Sequence, residues 1–152
     1  MLLSLVLAAA GQAAEKALPV PRFVSLRVDE VNLRAGPGER YPIEWVLIKK
    51  GLPVEIVDEF DVWRKIRAPE GSEGWVHQRM VTGTRTVVIE GGTRTLHADP
   101  DAAAPAVARA EAGVIARLLE CHGPWCRIEA RGIKGWVQRK EVWGVFPDEV
   151  VQ

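Results

Sequence analysis

The chain has 152 residues, 26% of them charged, and its 20 basic and 20 acidic side chains give a net charge of zero. Charges of both signs alternate along the whole chain, so no part of it carries the positive field that favours a nucleic-acid backbone or an anionic membrane. We therefore expect no binding to nucleic acid.

The N-terminal segment has the features of an export signal. Residues 1–14 are apolar or small, and the charged pair Glu15-Lys16 follows them. Gly11 and Ala13 fit the small-x-small pattern of signal peptidase cleavage, and the run is too short to span a bilayer. We predict a signal peptide at 1–13, a linker at 14–23, and a periplasmic or secreted mature protein without a transmembrane segment. No basic residue precedes the apolar run, which leaves a start further upstream or a plain apolar tail as alternatives.

The rest of the chain contains one sequence pattern twice. The matching pieces are Asn32–Gly38 and Thr95–Pro100, Trp63–Ile66 and Trp125–Ile128, and Gly74–Val76 and Gly135–Val137. The offset between equivalent residues drifts only from 63 to 61 along the copies, which chance rarely produces. This repeat predicts two domains of one fold, at 24–83 and 84–146, followed by a C-terminal tail at 147–152.

Each copy alternates short β-prone runs with turn residues and has no sustained helical period. The predicted strands are 24–28, 45–49, 54–59, 63–68 and 74–76 in the first copy, and 86–89, 95–96, 114–120, 126–130 and 133–137 in the second. The alanine-rich stretch 100–112 of the second copy aligns with a loop and a strand of the first copy. This alignment predicts a loop, a short turn and a weak strand there, and not a helix. We therefore expect an all-β chain of two small closed antiparallel barrels.

Both cysteines lie in the second copy, in the segment Cys121–Cys126. Gly123-Pro124 between two β-prone runs predicts a hairpin, and a four-residue loop would place the cysteines opposite each other. We expect a disulfide between Cys121 and Cys126. The alternatives are two reduced, buried thiols, or a metal site that includes His122 or His97.

The repeat offers an internal control for the cysteine pair. The equivalent positions in the first copy are Glu59 and Arg64, which carry opposite charges. Opposite charges suit cross-strand neighbours, whereas a metal or catalytic site would not be replaced by them. We therefore predict a structural disulfide, no metal and no cofactor.

These motifs carry a resemblance to a known family. The Asn-Leu-Arg-Ala-Gly-Pro-Gly signature at 32–38, the Trp-x-x-Ile strand and the closing Gly-Trp-Val resemble the bacterial SH3-like domain. The cysteine hairpin and Val142–Val145 resemble its exported tandem variety in Gram-negative bacteria. The resemblance covers 24–146 and implies two tandem SH3-like barrels, usually non-catalytic and often at the cell envelope. The second copy departs from the signature, with His97 in place of the arginine and 99–101 in place of Gly-Pro-Gly.

Aromatic residues of the first copy are the candidates for a ligand surface. Trp63 and Ile66 lie three positions apart in one strand, on opposite faces, so a buried Ile66 leaves Trp63 partly exposed. Tyr41 and Trp45 follow the Gly-Pro-Gly loop only in the first copy, and aromatic grooves of this kind bind extended peptides. The predicted ligand-binding residues are Arg34, Tyr41, Trp45, Trp63 and Arg64. The alternative is that Arg34 supports the loop by hydrogen bonds and Tyr41 caps the barrel.

No carboxylate pair, phosphate loop or nucleophile motif is recognisable, and we predict a protein that is not an enzyme. The predicted function is recognition of peptidoglycan, a peptide or an envelope protein, mainly through the first domain. The main alternative is a scaffold protein of the envelope without a small ligand. An enzyme that uses Cys121 with His122 is a third possibility, and it requires a free thiol that the disulfide removes.

Overall fold

Fourteen strands form two seven-stranded antiparallel sheets in a computed structural model that describes residues 18–152. The predicted signal peptide lies outside the described residues. The first sheet contains β1 (Arg22–Leu26), β2 (Glu30–Arg34), β3 (Ile43–Ile48), β4 (Pro53–Phe60), β5 (Trp63–Arg67), β6 (Glu73–His77) and β7 (Val81–Thr82). The second contains β8 (Thr86–Ile89), β9 (Arg94–His97), β10 (Ala106–Ala110), β11 (Ile115–His122), β12 (Trp125–Ala130), β13 (Ile133–Gln138) and β14 (Val142–Trp143).

The two sheets have the same topology. The strand order is β3-β2-β6-β5-β4-β1-β7 in the first and β10-β9-β13-β12-β11-β8-β14 in the second. Every strand of the first sheet therefore has a counterpart in the second sheet whose number is higher by seven. Each sheet encloses its own cluster of buried apolar residues. The predicted all-β chain of two tandem SH3-like barrels is confirmed.

The alanine-rich stretch contains the expected short strand, β10, and no helix. Three strands were not predicted: β2, which holds the Asn-Leu-Arg signature, and the two-residue strands β7 and β14. The predicted four-residue loop of the cysteine hairpin is wrong. His122 pairs with Trp125, and only Gly123-Pro124 forms the turn, because a glycine at φ +53° lets the chain reverse within two residues.

In each barrel, a glycine lies against a leucine of the neighbouring strand. A Cβ atom added to Gly74 of β6 would lie 2.5 Å from Cβ of Leu33 on β2, and one added to Gly135 would lie 2.7 Å from Cβ of Leu96. Only a glycine at these positions therefore lets β6 approach β2, and β13 approach β9, so closely. Because side chains alternate along a strand, the glycine and valine of Gly-Trp-Val face the core and the tryptophan faces outward.

The predicted disulfide is confirmed. Cys121 and Cys126 are cross-strand partners, are bonded to each other and are fully buried in the second core. Glu59 and Arg64 occupy the same pairing position in the first barrel, with Arg64 Nε 3.4 Å from Glu59 Oε1. Both cysteines of the chain are in the disulfide, so no free thiol remains for a nucleophile.

The two barrels pack together through aromatic rings. The Phe23 ring of the first barrel is buried with its centroid 5.1 Å from that of Trp143 and 4.5 Å from that of Phe146. The Arg85 guanidinium lies 5.7 Å from the centre of the same phenyl ring. Thr86 Oγ1 donates a 2.6 Å hydrogen bond to the carbonyl oxygen of Gly51. Phe23, Trp143 and Phe146 lie outside both core clusters, so these rings form a separate contact between the barrels.

The C-terminal residues pack against the second barrel. Arg139 Nη1 donates to the carbonyl oxygens of Phe146 and Glu149 at 2.7 and 2.6 Å. The backbone groups of Val151 exchange two hydrogen bonds with those of Cys121. The tail is therefore held beside the disulfide.

Glu149 is the charged anchor of this tail. Its carboxylate accepts hydrogen bonds from Arg85 Nη1 at 2.6 Å and Arg85 Nη2 at 2.9 Å. Burial raises the pKa of this carboxyl group, but the Arg85 hydrogen bonds, the Phe146 N–H and the charges of Arg85 and Arg139 outweigh it. The pKa of Glu149 consequently lies below the ordinary value of 4.5.

We expect Gly74→Ala to lower the free energy of unfolding by about 2 kcal/mol, because the added methyl group pushes β6 away from Leu33. Chemical denaturation followed by tryptophan fluorescence measures this change. Gly83→Ala is the matched control, since no atom lies within 4 Å of its added Cβ, and it should leave the stability almost unchanged. Equal losses in the two variants would contradict the close-approach explanation.

We expect Glu149→Gln to lower the stability at neutral pH by at most about 1 kcal/mol, because the site is partly exposed and its ion pair is screened. A lowered pKa makes the ionised carboxylate stabilising above about pH 4.5, and this contribution disappears as the pH falls through the folded-state pKa. The difference between wild type and variant should therefore shrink at low pH in thermal unfolding. Glu111→Gln, exposed and in no ion pair among residues 18–152, should show no such difference at either pH.

Candidate binding surface

The candidate surface of the first barrel lies on the outer face of β5 and β6. Trp63 pairs with His77, and Lys65 pairs with Trp75, which in turn pairs with Arg34 of β2. The rings of Trp63 and His77 meet edge to face, with centroids 5.7 Å apart. All five side chains are partly exposed, and we call this set the first platform.

The alternation along β5 follows the prediction. Ile66 is fully buried and Trp63 is partly exposed, so the two side chains lie on opposite faces of the strand. Gly74 and Val76 alternate in the same way with Trp75 and His77 on β6. The neighbouring strands β5 and β6 therefore place Trp63 and Trp75 on one outer face, because Gly74 and Val76 face the core.

Arg34 and Tyr41 act together in the loop that follows β2. Arg34 Nη1 donates hydrogen bonds to the carbonyl oxygens of Glu39 and Tyr41, at 2.9 and 3.0 Å. The Tyr41 ring packs against Gly36, where an added Cβ would lie 2.5 Å from ring carbons. This geometry supports the loop, as the alternative interpretation of these two residues expects, and it holds the guanidinium of the residue that pairs with Trp75.

Trp45 and Arg64 do not join the platform. Trp45 pairs with Leu33 on the edge strand β3, where it is 55% exposed, and it therefore lies on the opposite face from Arg34. Arg64 pairs with Val76, on the opposite row of β5 from Trp63. Its guanidinium is occupied by the carbonyl oxygens of Asp61 and Trp63, by Gln78 and by Glu59.

The second barrel carries an equivalent surface, the second platform, formed by His97, Trp125, Arg127, Trp136 and Gln138. Its pairs are Trp125 with Gln138, and Trp136 with both Arg127 and His97. The ring centroids of His97 and Trp125 are 5.8 Å apart. His97 Nδ1 lies 2.9 Å from the carbonyl oxygen of Ala104, which is the loop contact that Arg34 makes in the first barrel.

The predicted ligand-binding residues did not include Lys65, Trp75 and His77 of the first platform, or any residue of the second. The signal was present in Gly-Trp-Val, since an inward glycine and valine leave the tryptophan outside. The structure also shows that each barrel sets one histidine against the equivalent tryptophan. That histidine comes from the end of β6 in the first barrel and from β9 in the second.

This arrangement suits binding by stacking and charge. Indole rings offer flat apolar surface to a sugar ring or a peptide. Arg34, which makes no ion pair among residues 18–152, can pair with a carboxylate on the same face, whereas Lys65 Nζ already lies 3.8 Å from Glu73 Oε2. Among residues 18–152, no three His, Cys, Asp or Glu side chains are grouped so that they could hold a metal ion. In the same part of the chain, no helix has the length and apolar character that crossing a membrane requires.

Comparison with known proteins identifies the fold family. Residues 27–83 and 91–144 match the family model of the bacterial SH3 domain. The chain is 25% identical over 128 residues to the protein named "Putative N-acetylmuramoyl-L-alanine amidase YrvJ" of Bacillus subtilis strain 168, and the match covers 77% of this chain and 24% of that protein. The chain thus spans about a quarter of the length of this relative.

Two solved structures from Trichomonas vaginalis also align with the chain, each with a TM-score of 0.37. NlpC1 is 12% identical, with 90% of this chain and 50% of that chain covered, and NlpC2 is 14% identical, with 83% and 49% covered. The family model, matching both halves and most of the described chain, is the finding that decides the family. The chain belongs to the bacterial SH3 domain family, of which it contains two copies in tandem.

Proposed function

We propose that this protein is a non-catalytic binding module of the cell envelope, periplasmic or secreted, that recognises peptidoglycan through its first platform. The observation that carries the proposal is the placement of Trp63, Trp75 and Arg34 on one outer face of the first barrel. A wall fragment offers both partners that this face requires, a sugar ring for the indoles and peptide carboxylates for the cations.

The comparisons support this choice of ligand. The relative from Bacillus subtilis is named a putative N-acetylmuramoyl-L-alanine amidase, and N-acetylmuramoyl-L-alanine is a unit of peptidoglycan. This chain aligns with only 24% of that protein, and the described residues here consist of the two barrels and their tail. The buried disulfide supports an oxidising compartment such as the periplasm or the exterior.

The charge of the two platforms favours the first. Lys65 and its counterpart Arg127 each pair with a tryptophan, and Lys65 Nζ also lies 3.8 Å from Glu73 Oε2. The difference lies on the other side of that tryptophan, where Arg34 pairs with Trp75 in the first platform and His97 pairs with Trp136 in the second. Arg34 offers a guanidinium that is always charged and has a planar set of donors. Of the other residues predicted for the ligand, Tyr41 contributes by holding the loop next to Arg34, while Trp45 and Arg64 lie outside this platform.

The test is co-sedimentation of the full chain with purified, insoluble peptidoglycan. We expect Trp63→Ala to weaken retention about tenfold, which corresponds to the roughly 1.4 kcal/mol that a stacked indole contributes. Trp125→Ala is the matched control, because it removes the equivalent indole of the second barrel, and it should leave retention close to wild type. Circular dichroism verifies that both variants are folded.

Two results would contradict the proposal. Absence of retention for the folded wild-type chain would favour the scaffold alternative, in which the barrels assemble with an envelope protein and take no wall ligand. Equal losses in Trp63→Ala and Trp125→Ala would contradict the assignment to the first platform.

A further inference from the structure

The edge strand β3 of the first barrel is unusually apolar on its exposed surface. It ends the order of the first sheet and is hydrogen-bonded there to β2 alone. Ile43, Trp45, Val46 and Ile48 are 46%, 55%, 45% and 75% exposed. Alternate residues of such a strand direct N–H and C=O groups away from the sheet, so this edge can pair with another strand.

The sister strand β10 lacks this character. Trp45 is opposite Leu33 and Ala108 is opposite the equivalent Leu96, while Val46 occupies the place of Arg109. Three of the five residues of β10 are alanines, and a charged residue at an edge is a common protection against strand pairing. The same fold therefore carries one protected edge and one open edge, and the difference lies in the side chains alone.

Charges flank the apolar strand in a self-complementary order. Glu44 lies near its start, and Lys49 and Lys50 follow its last residue. None of the three makes an ion pair with another of the residues 18–152. An antiparallel copy of the same segment would bring its lysines to the end that carries the glutamate.

We propose that β3 pairs antiparallel with β3 of a second copy of this chain and forms a two-fold symmetric dimer. A two-fold axis perpendicular to the joined sheet keeps each side chain on its own face, so facing residues must both be even-numbered or both odd-numbered. With Leu47 facing its own copy, Val46 faces Ile48 across the edge at two symmetric places, and Glu44 comes near Lys50, which lies in the turn that follows β3. This register joins opposite charges and covers exposed apolar residues at once.

A dimer of this kind closes on itself, because both open edges are used in a single contact. It therefore differs from the open-ended association of exposed strands, which gives species of increasing size. The inference concerns the edge of the sheet and does not rest on the proposed wall binding.

The test is the molar mass of the full chain in solution, measured by light scattering or sedimentation over a series of concentrations. We expect a reversible monomer–dimer equilibrium without larger species. Val46→Arg should be monomeric throughout and still folded, because the second barrel tolerates Arg109 at the equivalent position. Val107→Arg on β10 is the matched control and should dimerise like wild type.

Charge exchange tests the register even if Val46→Arg does not fold. Glu44→Lys and Lys50→Glu alone should each weaken dimerisation about tenfold, since each sets like charges opposite one another. A mixture of the two variants should recover the dimer, because the lysine introduced in one copy then faces the glutamate introduced in the other. Three results would each overturn the proposal: a monomeric wild type, a dimer that survives Val46→Arg, and a mixture that stays monomeric. A monomeric wild type would indicate that the edge pairs with a strand of another protein.

Discussion

The pairing of β2 with β6, and of β9 with β13, depends on the contact between a glycine of one strand and a leucine of the other. Gly74 lies on Leu33 and Gly135 lies on Leu96, at a separation that leaves no room for a side chain on the glycine. This contact brings β2 to β6 and β9 to β13. Because neighbouring residues alternate between faces, the same contact decides that Trp75 and Trp136 point outward. The aromatic surface is thus a consequence of how these strands pair.

The two barrels show which positions of this fold can change while the backbone is preserved. A buried disulfide in one barrel corresponds to the Glu59–Arg64 ion pair in the other. Arg34 in one and His97 in the other both contact loop carbonyl oxygens. Either a disulfide or an ion pair can join the cross-strand neighbours, and either an arginine or a histidine can support the loop. The glycine that lies on the leucine, by contrast, is the same residue in both barrels. What differs most is the outer edge, where one strand is apolar and the other is rich in alanine.

The tandem arrangement is a single packed unit. Phe23 of the first barrel lies against Trp143 and Phe146, and Thr86 bonds the carbonyl oxygen of Gly51 across the junction. Domains of about 60 residues bury a modest share of their surface and gain stability from such contacts. The tail adds to the second barrel through Arg85, Arg139 and Glu149. Each barrel therefore receives support outside its own sheet, the first from its neighbour and the second also from the chain that follows it.

The sequence by itself determined what depends on repeats and on neighbours along one strand. The internal repeat revealed two copies of one fold, and the spacing of the two cysteines placed them opposite each other in a hairpin. The alternation of side chains along a strand placed Trp63 and Ile66 on opposite faces. The tertiary structure decided what depends on strand pairing between distant segments. Arg34 meets Trp75 only because β2 crosses to β6, and β3 is exposed only because it ends the sheet order. Periodicity within a strand reports which face is buried, but it carries no information about which strand lies beside it, and that is why the platform and the open edge appeared only with the fold.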